Sequence, residues 1–199
     1  MIARRLLECL IIVAREQFAE FWTPNSGFRA PDSDFNIEGT LNSFMKHEQD
    51  EPEQYMSVAL ALARESGEEG ETPVGCVIVD AAGAIIGSGR NRRENAKSAV
   101  AHAEIEAIDD ACKSLGDWRL SGCSLYVTLE PCPMCAGAII MSRIDKVFFG
   151  AQDGLTGSCG SVINIFMEPY GHSTQITGGI LADDCSDLIT GFFRMLRST

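Results

Sequence analysis

His102, Cys132 and Cys135 are the residues of this 199-residue chain whose types and spacing point most directly to chemistry. They sit in two short stretches, His102-Ala103-Glu104 and Pro131-Cys132-Pro133-Met134-Cys135. One imidazole and two thiolates form a donor set that zinc favours, and three protein ligands leave the fourth tetrahedral place to water. Zinc brings the pKa of such a water down to about 7, so a nucleophile exists at neutral pH. Glu104 is not needed as a ligand, and a carboxylate two residues from the histidine is placed to move protons. The pattern therefore reads as hydrolytic. A lone C-x-x-C also fits a redox pair or half of a structural zinc site. A structural site usually closes with a fourth ligand. Cys159 or His172 would have to serve, and Glu104 would then have no role.

The elements that must position these groups are legible around them. Ile105, Ile108, Ala111, Cys112 and Leu115 share one side of a helix expected over His102–Leu115. Ser124–Leu129 is β-rich and bounded by Gly122 and Pro131, so it reads as a strand. Pro133 fits the first turn of a helix over Met134–Ser142. Both ligand groups then lie at helix N-termini, whose dipoles favour thiolates. Two helix starts facing one another would bring the three ligands to one point.

The rest of the chain supplies strands and helices in alternation. A helical period over Glu53–Glu65 is followed by a hairpin of Cys76–Val79 and Ala84–Ser88, turned at Ala82-Gly83. A polar loop, Gly87–Val100, carries Arg90, Asn91, Arg92, Arg93 and Lys97, the densest basic cluster in the sequence. It reads either as a solvated loop or as a rim that meets phosphates. Lys146–Gly150 is a strand, Gln152–Gly157 a Gly-punctuated loop, Ile163–Phe166 a short helix and Pro169–Ser173 a turn. Ile176–Ile180 is a weak strand, and Leu181–Leu196 has helical spacing. The order predicts an α/β sandwich with one mixed sheet.

Composition narrows the function classes. The chain is 45% apolar and 22% charged, as a soluble globular domain is, with a formal net charge of −12. That charge argues against a general polyanion binder, so a nucleic-acid partner must be met by a local basic patch or a few specific contacts. The eight cysteines do not look like a secreted disulfide framework, and a reducing cytoplasm fits better. Residues 1–52 read as an N-terminal extension: an amphipathic helix over Ala3–Phe21, then a flexible linker over Thr23–Gly39. The apolar run Leu6–Val13 is too short to span a membrane. Ordered patterning begins after Met45, which is therefore expected to be the natural start, and residues 53–199 form the functional domain.

The H-x-E and P-C-x-x-C pair is the signature of the zinc-dependent deaminases that act on nucleobases. Residues 53 to 197 resemble the bacterial tRNA-specific adenosine deaminases more particularly. The matching stretches are Pro73-Val74-Gly75, Asn91, His102-Ala103-Glu104-Ile105, Leu125 to Cys132, Met134-Cys135-Ala136-Gly137, Phe149-Gly150-Ala151, Gly178 to Leu181 and Phe192-Phe193-Arg194. The resemblance implies a three-layer α/β/α sandwich with a five-stranded mixed sheet, a homodimer, and one zinc per subunit held by His102, Cys132 and Cys135. It implies attack of a zinc-activated water on C6 of a wobble adenosine in a tRNA anticodon loop. Glu104 would protonate the ring and then the leaving amine. Asn91, Val74, Ala103, Asp153, Phe193 and Arg194 match positions at the substrate. Each of four has a plainer reading: Asn91 as a turn residue, Val74 as core, Asp153 as a solvated loop acid, Phe193 as part of an apolar helix stripe.

One departure from the resemblance concerns charge. From Glu53 onward there are 11 Lys and Arg against 19 Asp and Glu. Phosphate contacts supply much of nucleic-acid affinity. The cations Arg90, Arg92, Arg93, Lys97, Arg143, Lys146, Arg194 and Arg197 would therefore have to form a segregated face. Two rival functions share the motif: deamination of a free base or nucleoside such as guanine or cytosine, and a catalytically silent zinc-folded RNA-binding subunit.

Overall fold

The computed structural model describes residues 37–198, with side chains for residues 52–197. The first described element is helix α1, Ile37–Glu68. Then follow strands β1 (Gly75–Val79) and β2 (Ile85–Arg90) and helix α2 (Ala103–Leu115). Strand β3 (Ser124–Leu129), helix α3 (Pro133–Met141) and strand β4 (Lys146–Ala151) come next. A 3-10 turn at Ile165–Met167, strand β5 (Gln175–Gly178) and helix α4 (Ala182–Ser198) complete the order.

The five strands form one mixed sheet in the order β2-β1-β3-β4-β5. The hairpin β1–β2 and the pair β1–β3 are antiparallel, whereas β3–β4 and β4–β5 are parallel. Period-two alternation along the strands builds two cores. Cys76 and Ile78, Leu125 and Val127, and Val147 and Phe149 cluster with Ala103, Ala107 and Ala111 of α2 and Ile139 of α3. Their alternates Val77 and Val79, Tyr126 and Phe148 cluster with Met56, Ala59 and Leu60 of α1 and Cys185 and Leu188 of α4. Helices therefore cover both faces, giving the expected α/β/α layering.

Glycines let one of those layers close. A Cβ on Gly87 or Gly89 of β2 would overlap the backbone of α2 at Ala107 or Ala103. Without side chains there, α2 lies directly on the strand, and its N-terminal turn is carried to the sheet's edge. The helix stops at Gly116, which takes the left-handed conformation at φ 69° that a side chain disfavours.

Four expectations shift. Strand β2 runs to Arg90, so residues 87–90, assigned to the polar loop, are strand, and the loop begins at Asn91. The first helix starts at Ile37 and not at Glu53, and it runs through Met45 and Pro52. Ile37, Leu41, Phe44 and Met45 do carry a helical period, but it is obscured by Gly39 and by Pro52, since a proline is ordinarily a first-turn residue. Ile37–Gly39, assigned to the linker, lies within this helix; the remainder of that linker and the Ala3–Phe21 helix lie outside the described residues. Strand β5 ends at Gly178 because Gly179 and Leu181 turn the chain with positive φ, 92° and 50°. Among the described residues no helix is long and apolar enough to cross a membrane.

Candidate active site

His102 and Cys132 occupy equivalent places, each the residue just before the first turn of a helix. His102 precedes α2 and Cys132 precedes α3, and both have extended backbone (φ −88°, ψ 154° and φ −73°, ψ 171°). Neither side chain caps its own helix, so both are left to point elsewhere. Cys135 follows one turn on, buried beneath them. His102 Nδ1 lies 3.8 Å from Cys132 Sγ and 3.5 Å from Cys135 Sγ. All three donor atoms fall within 4.8 Å of one another, and this is the one group of three or more metal-ligating side chains among the described residues. Zinc bonds of about 2.1 Å to nitrogen and about 2.3 Å to sulfur, at a tetrahedral angle, separate N and S by about 3.6 Å. The donors present therefore fit zinc in type and in spacing. Neither Cys159 nor His172 joins the group, so among the described residues no fourth protein ligand closes it. His172 is spent elsewhere, at 2.8 Å from the Ile144 carbonyl.

The two thiols differ as a pair competing for one proton must. Hydrogen bonding from Cys135, followed by that from His102, outweighs burial and brings Cys132 down to about 4. Cys135 moves the other way, held up by the same bond to Cys132 and by burial. A divalent cation would displace the remaining proton, as metal binding to thiols does.

The triad opens into a cavity of about 130 Å³, lined in part by Thr72, Val74, Asn91, Arg93 and Ala103. Glu104, Leu129, Glu130, Asp153 and Thr156 complete the lining. Clefts for drug-sized ligands run to about 300–1,000 Å³, so this one suits a group the size of a single base. Glu104, 5% exposed, lines it two residues from His102. Burial raises the Glu104 pKa above the usual carboxylate value, opposed by its own backbone N–H.

Of the remaining sequence candidates, Val74, Asn91, Ala103 and Asp153 are brought to the cavity. Asp153 is bound up with its own loop: it accepts from Leu155 N at 2.9 Å and from Thr156 Oγ1 at 2.5 Å. Phe193 and Arg194 lie on α4, exposed and away from the cavity lining. Phe192 is the buried member of that pair and stacks edge-on against Phe193 at 5.5 Å. Of the eight cations named as a segregated face, Arg93 alone lines the cavity. Arg90 is tied to Glu69 at 2.7 Å and Glu65 at 3.4 Å, and Arg92 lies 3.9 Å from Glu106.

Sequence reasoning passed over two buried glutamates. Glu130, 2% exposed, accepts backbone N–H bonds from Cys159 at 2.8 Å and from Asp153 and Ser161 at 3.1 Å. Burial would raise its pKa, but the bonds from Ser161, Asp153 and Cys159 win and hold it below the ordinary value. Glu71, 1% exposed, accepts from Asn95 N at 2.6 Å and Glu94 N at 3.1 Å. Their signal was an acidic residue beside a motif, Glu130 before Pro131 just past β3 and Glu71 before Thr72-Pro73 ahead of β1.

With this geometry in hand, comparison with known proteins is decisive. Residues 49–151 match the cytidine and deoxycytidylate deaminase zinc-binding region. The tRNA-specific adenosine deaminase of Bacillus subtilis (strain 168) is 47% identical over 146 residues, 73% of this chain and 90% of that protein. The chain belongs to the tRNA-specific adenosine deaminase family. A solved structure from studies of A-to-I editing by tRNA:A34 deaminases covers 68% of this chain and 98% of its own, at 40% identity and a TM-score of 0.65. Guanine deaminase from Nitrosomonas europaea shares the fold at a TM-score of 0.64 but only 25% identity, over 71% of this chain and 84% of its own. Members of the family carry a zinc-binding region, and His102, Cys132 and Cys135 are the residues of this chain that fit the ion.

Proposed function

We propose that this chain deaminates the wobble adenosine of a tRNA anticodon to inosine, with water consumed and ammonia released. The observation that carries the reading is the open three-donor group with Glu104 beside it, at the floor of a base-sized cavity. Identity to tRNA-acting relatives, well above that to the guanine deaminase, supports the substrate.

Zinc held by His102, Cys132 and Cys135 supplies Lewis acidity that brings the pKa of a bound water near 7. The protein's own groups do the rest. Glu104 would carry both protons of the attacking water, passing the first to the adenine ring, then taking the second from the new hydroxyl at C6 and giving it to the departing amine, which leaves as ammonia. Its raised pKa suits a group that must hold and release a proton. Val74 and Leu129 offer apolar contact to the base, and Asn91 a polar one. Wobble bases lie in a loop, where a nucleotide splays out at low cost, and Arg93 at the lining is the cation positioned for a neighbouring phosphate. Phe193 and Arg194 would meet RNA outside the cavity, on α4.

The proposal extends to a domain spanning residues 53–199, a cytoplasmic location and a homodimer. All seven described cysteines are free, which supports a reducing compartment. Leu155, Val162, Ile163 and Met167 expose apolar surface for a second copy to cover. The test of function is incubation of the zinc-loaded protein with an anticodon stem-loop carrying a wobble adenosine, followed by sequencing. Inosine reads as guanosine, so conversion at that one position is expected. Conversion of free guanine, with the stem-loop untouched, would contradict the reading.

A further inference from the structure

Most polar side chains of the cavity lining are already engaged. His102 and Cys132 belong to the three-donor group, and Glu104 is the proton carrier beside it. Glu130 is caged by the backbone N–H groups of Cys159, Asp153 and Ser161. The Thr156 hydroxyl donates to Asp153 Oδ2 at 2.5 Å, which spends its one proton. The cavity has a second threonine in its wall, Thr72, and its hydroxyl is not spent.

The local fold explains why. Pro73 centres a three-residue turn, closed by the Val74 N–H donating to the Thr72 carbonyl at 2.9 Å. Pro73 itself is fully buried, while Thr72 and Val74 on either side of it line the cavity. The Thr72 carbonyl is turned into the protein, where it also accepts from Ser66 Oγ at 3.1 Å and Asn91 Nδ2 at 3.2 Å. What the half-buried Thr72 offers the cavity is therefore its side chain. No described residue hydrogen-bonds the Thr72 hydroxyl. No buried side-chain oxygen or nitrogen lacks a partner among the described residues, so this hydroxyl is not sealed in protein. It opens where the residue does, on the base-sized space.

An adenine in that space brings two ring acceptors that lie away from the reacting C6, the nitrogens N3 and N7. An acceptor buried without a donor forfeits the hydrogen bonds it had in water. A hydroxyl on the wall supplies the missing donor, and a threonine χ1 has few settings from which to do it. We propose that the Thr72 hydroxyl is a specificity-determining group of the base pocket, donating a hydrogen bond to N3 or N7 of the bound purine. The inference rests on the functional reading above and adds one base contact to that same pocket.

Thr72→Val keeps the shape and removes the hydroxyl. On the wobble-adenosine stem-loop its kcat/KM should fall about three- to tenfold, the scale of one lost hydrogen bond. Thr72→Ser keeps the hydroxyl and should retain most of the activity. A loss as deep in the serine variant would assign the effect to the methyl group and overturn the proposal. Thr72→Ala against Thr72→Ser gives the same contrast if the valine variant does not fold. Stem-loops with 3-deazaadenosine or 7-deazaadenosine at the wobble position then replace one acceptor nitrogen at a time by C–H. The ratio of wild type to Thr72→Val, taken on each substrate, cancels the analogue's own reactivity. It should hold its adenosine value on one analogue and fall to about one on the other, which names the nitrogen contacted. Equal ratios on all three substrates, or a Thr72→Val as active as wild type, overturn the proposal. Calorimetry with free adenine and its two deaza analogues reads the same ratios as binding constants. It does so even if the wild type leaves the stem-loop unconverted, an outcome that would count against the functional reading and not against this one.

Discussion

Glu104 and Glu130 line one cavity, both all but sealed from solvent, and their surroundings push them in opposite directions. Glu104 sits in the first turn of α2, where burial outweighs its own backbone N–H and raises its pKa. Glu130 sits just past the end of β3, caged by three backbone N–H groups from the loop that closes the pocket, and its pKa is lowered. The lesson is that burial alone does not make a carboxylate a proton carrier. What separates the two is whether the fold supplies enough fixed donors to hold the charge. One is poised to exchange a proton; the other is an anchor for the loop bearing Asp153 and Thr156.

The largest effect in this comparison should come from Glu104→Gln, which removes the proton carrier while keeping the shape. Turnover should fall by about 10²–10⁴-fold or more, with zinc retained and melting temperature changed little. His102→Ala should instead lose zinc and activity together, measured by metal analysis of the purified protein.

Glu130→Gln should show the reverse pattern. A Gln offers one acceptor oxygen where two were used, which costs about 1.5–3 kcal/mol for a charged hydrogen bond. For a chain of this size that lowers the melting temperature by roughly 3–12 °C. Zinc binding should persist. A variant that melts like wild type but is catalytically dead would make Glu130 the chemical residue and break the comparison.

The same cage gives a pH signature. Glu130's folded pKa lies below its unfolded value of about 4.3, so its stabilisation is complete above that pH and is lost as pH falls through the folded value. The stability gap between wild type and Glu130→Gln, followed by chemical denaturation, should be flat from pH 7 to 5 and close below about 4.3. A gap that widened in acid would contradict the assignment. The smallest change is Gly157→Ala, whose Cβ would overlap the Glu130 carboxylate and the Asp153 carbonyl. It should lower the melting temperature by a few degrees, on the order of 1–3 kcal/mol of overpacking, and keep that effect when combined with Glu130→Gln, since the Gln fills the same space and the Asp153 carbonyl still meets the Cβ.

What the sequence revealed follows from what its local patterns encode. The metal ligands were legible because nitrogen and sulfur donors with fixed spacing carry their chemistry in their types. The strands and α2 were legible because two alternating faces and one apolar stripe leave a period. The upstream part of α1 was not, although Ile37, Leu41, Phe44 and Met45 carry a helical period, because Pro52 reads as a helix start. Glu71 and Glu130 were passed over for another reason. A lone acidic residue in a sequence is ordinarily solvated, and what makes these two structural is a set of backbone N–H groups brought from 20 or more residues away by the fold. The basic loop was the mixed case. Its four cations look alike in sequence, yet Arg90, at the end of β2, is neutralised by Glu65 of α1 and by Glu69 just past it, while Arg93 lines the pocket.

The most direct test of the account is to measure zinc content and wobble-position sequence in one preparation of Glu104→Gln, with wild type alongside. The account predicts one zinc per chain in both, guanosine read at the wobble position after treatment with wild type, and adenosine still read there with the variant. Conversion by zinc-loaded Glu104→Gln at the wild-type rate would contradict it.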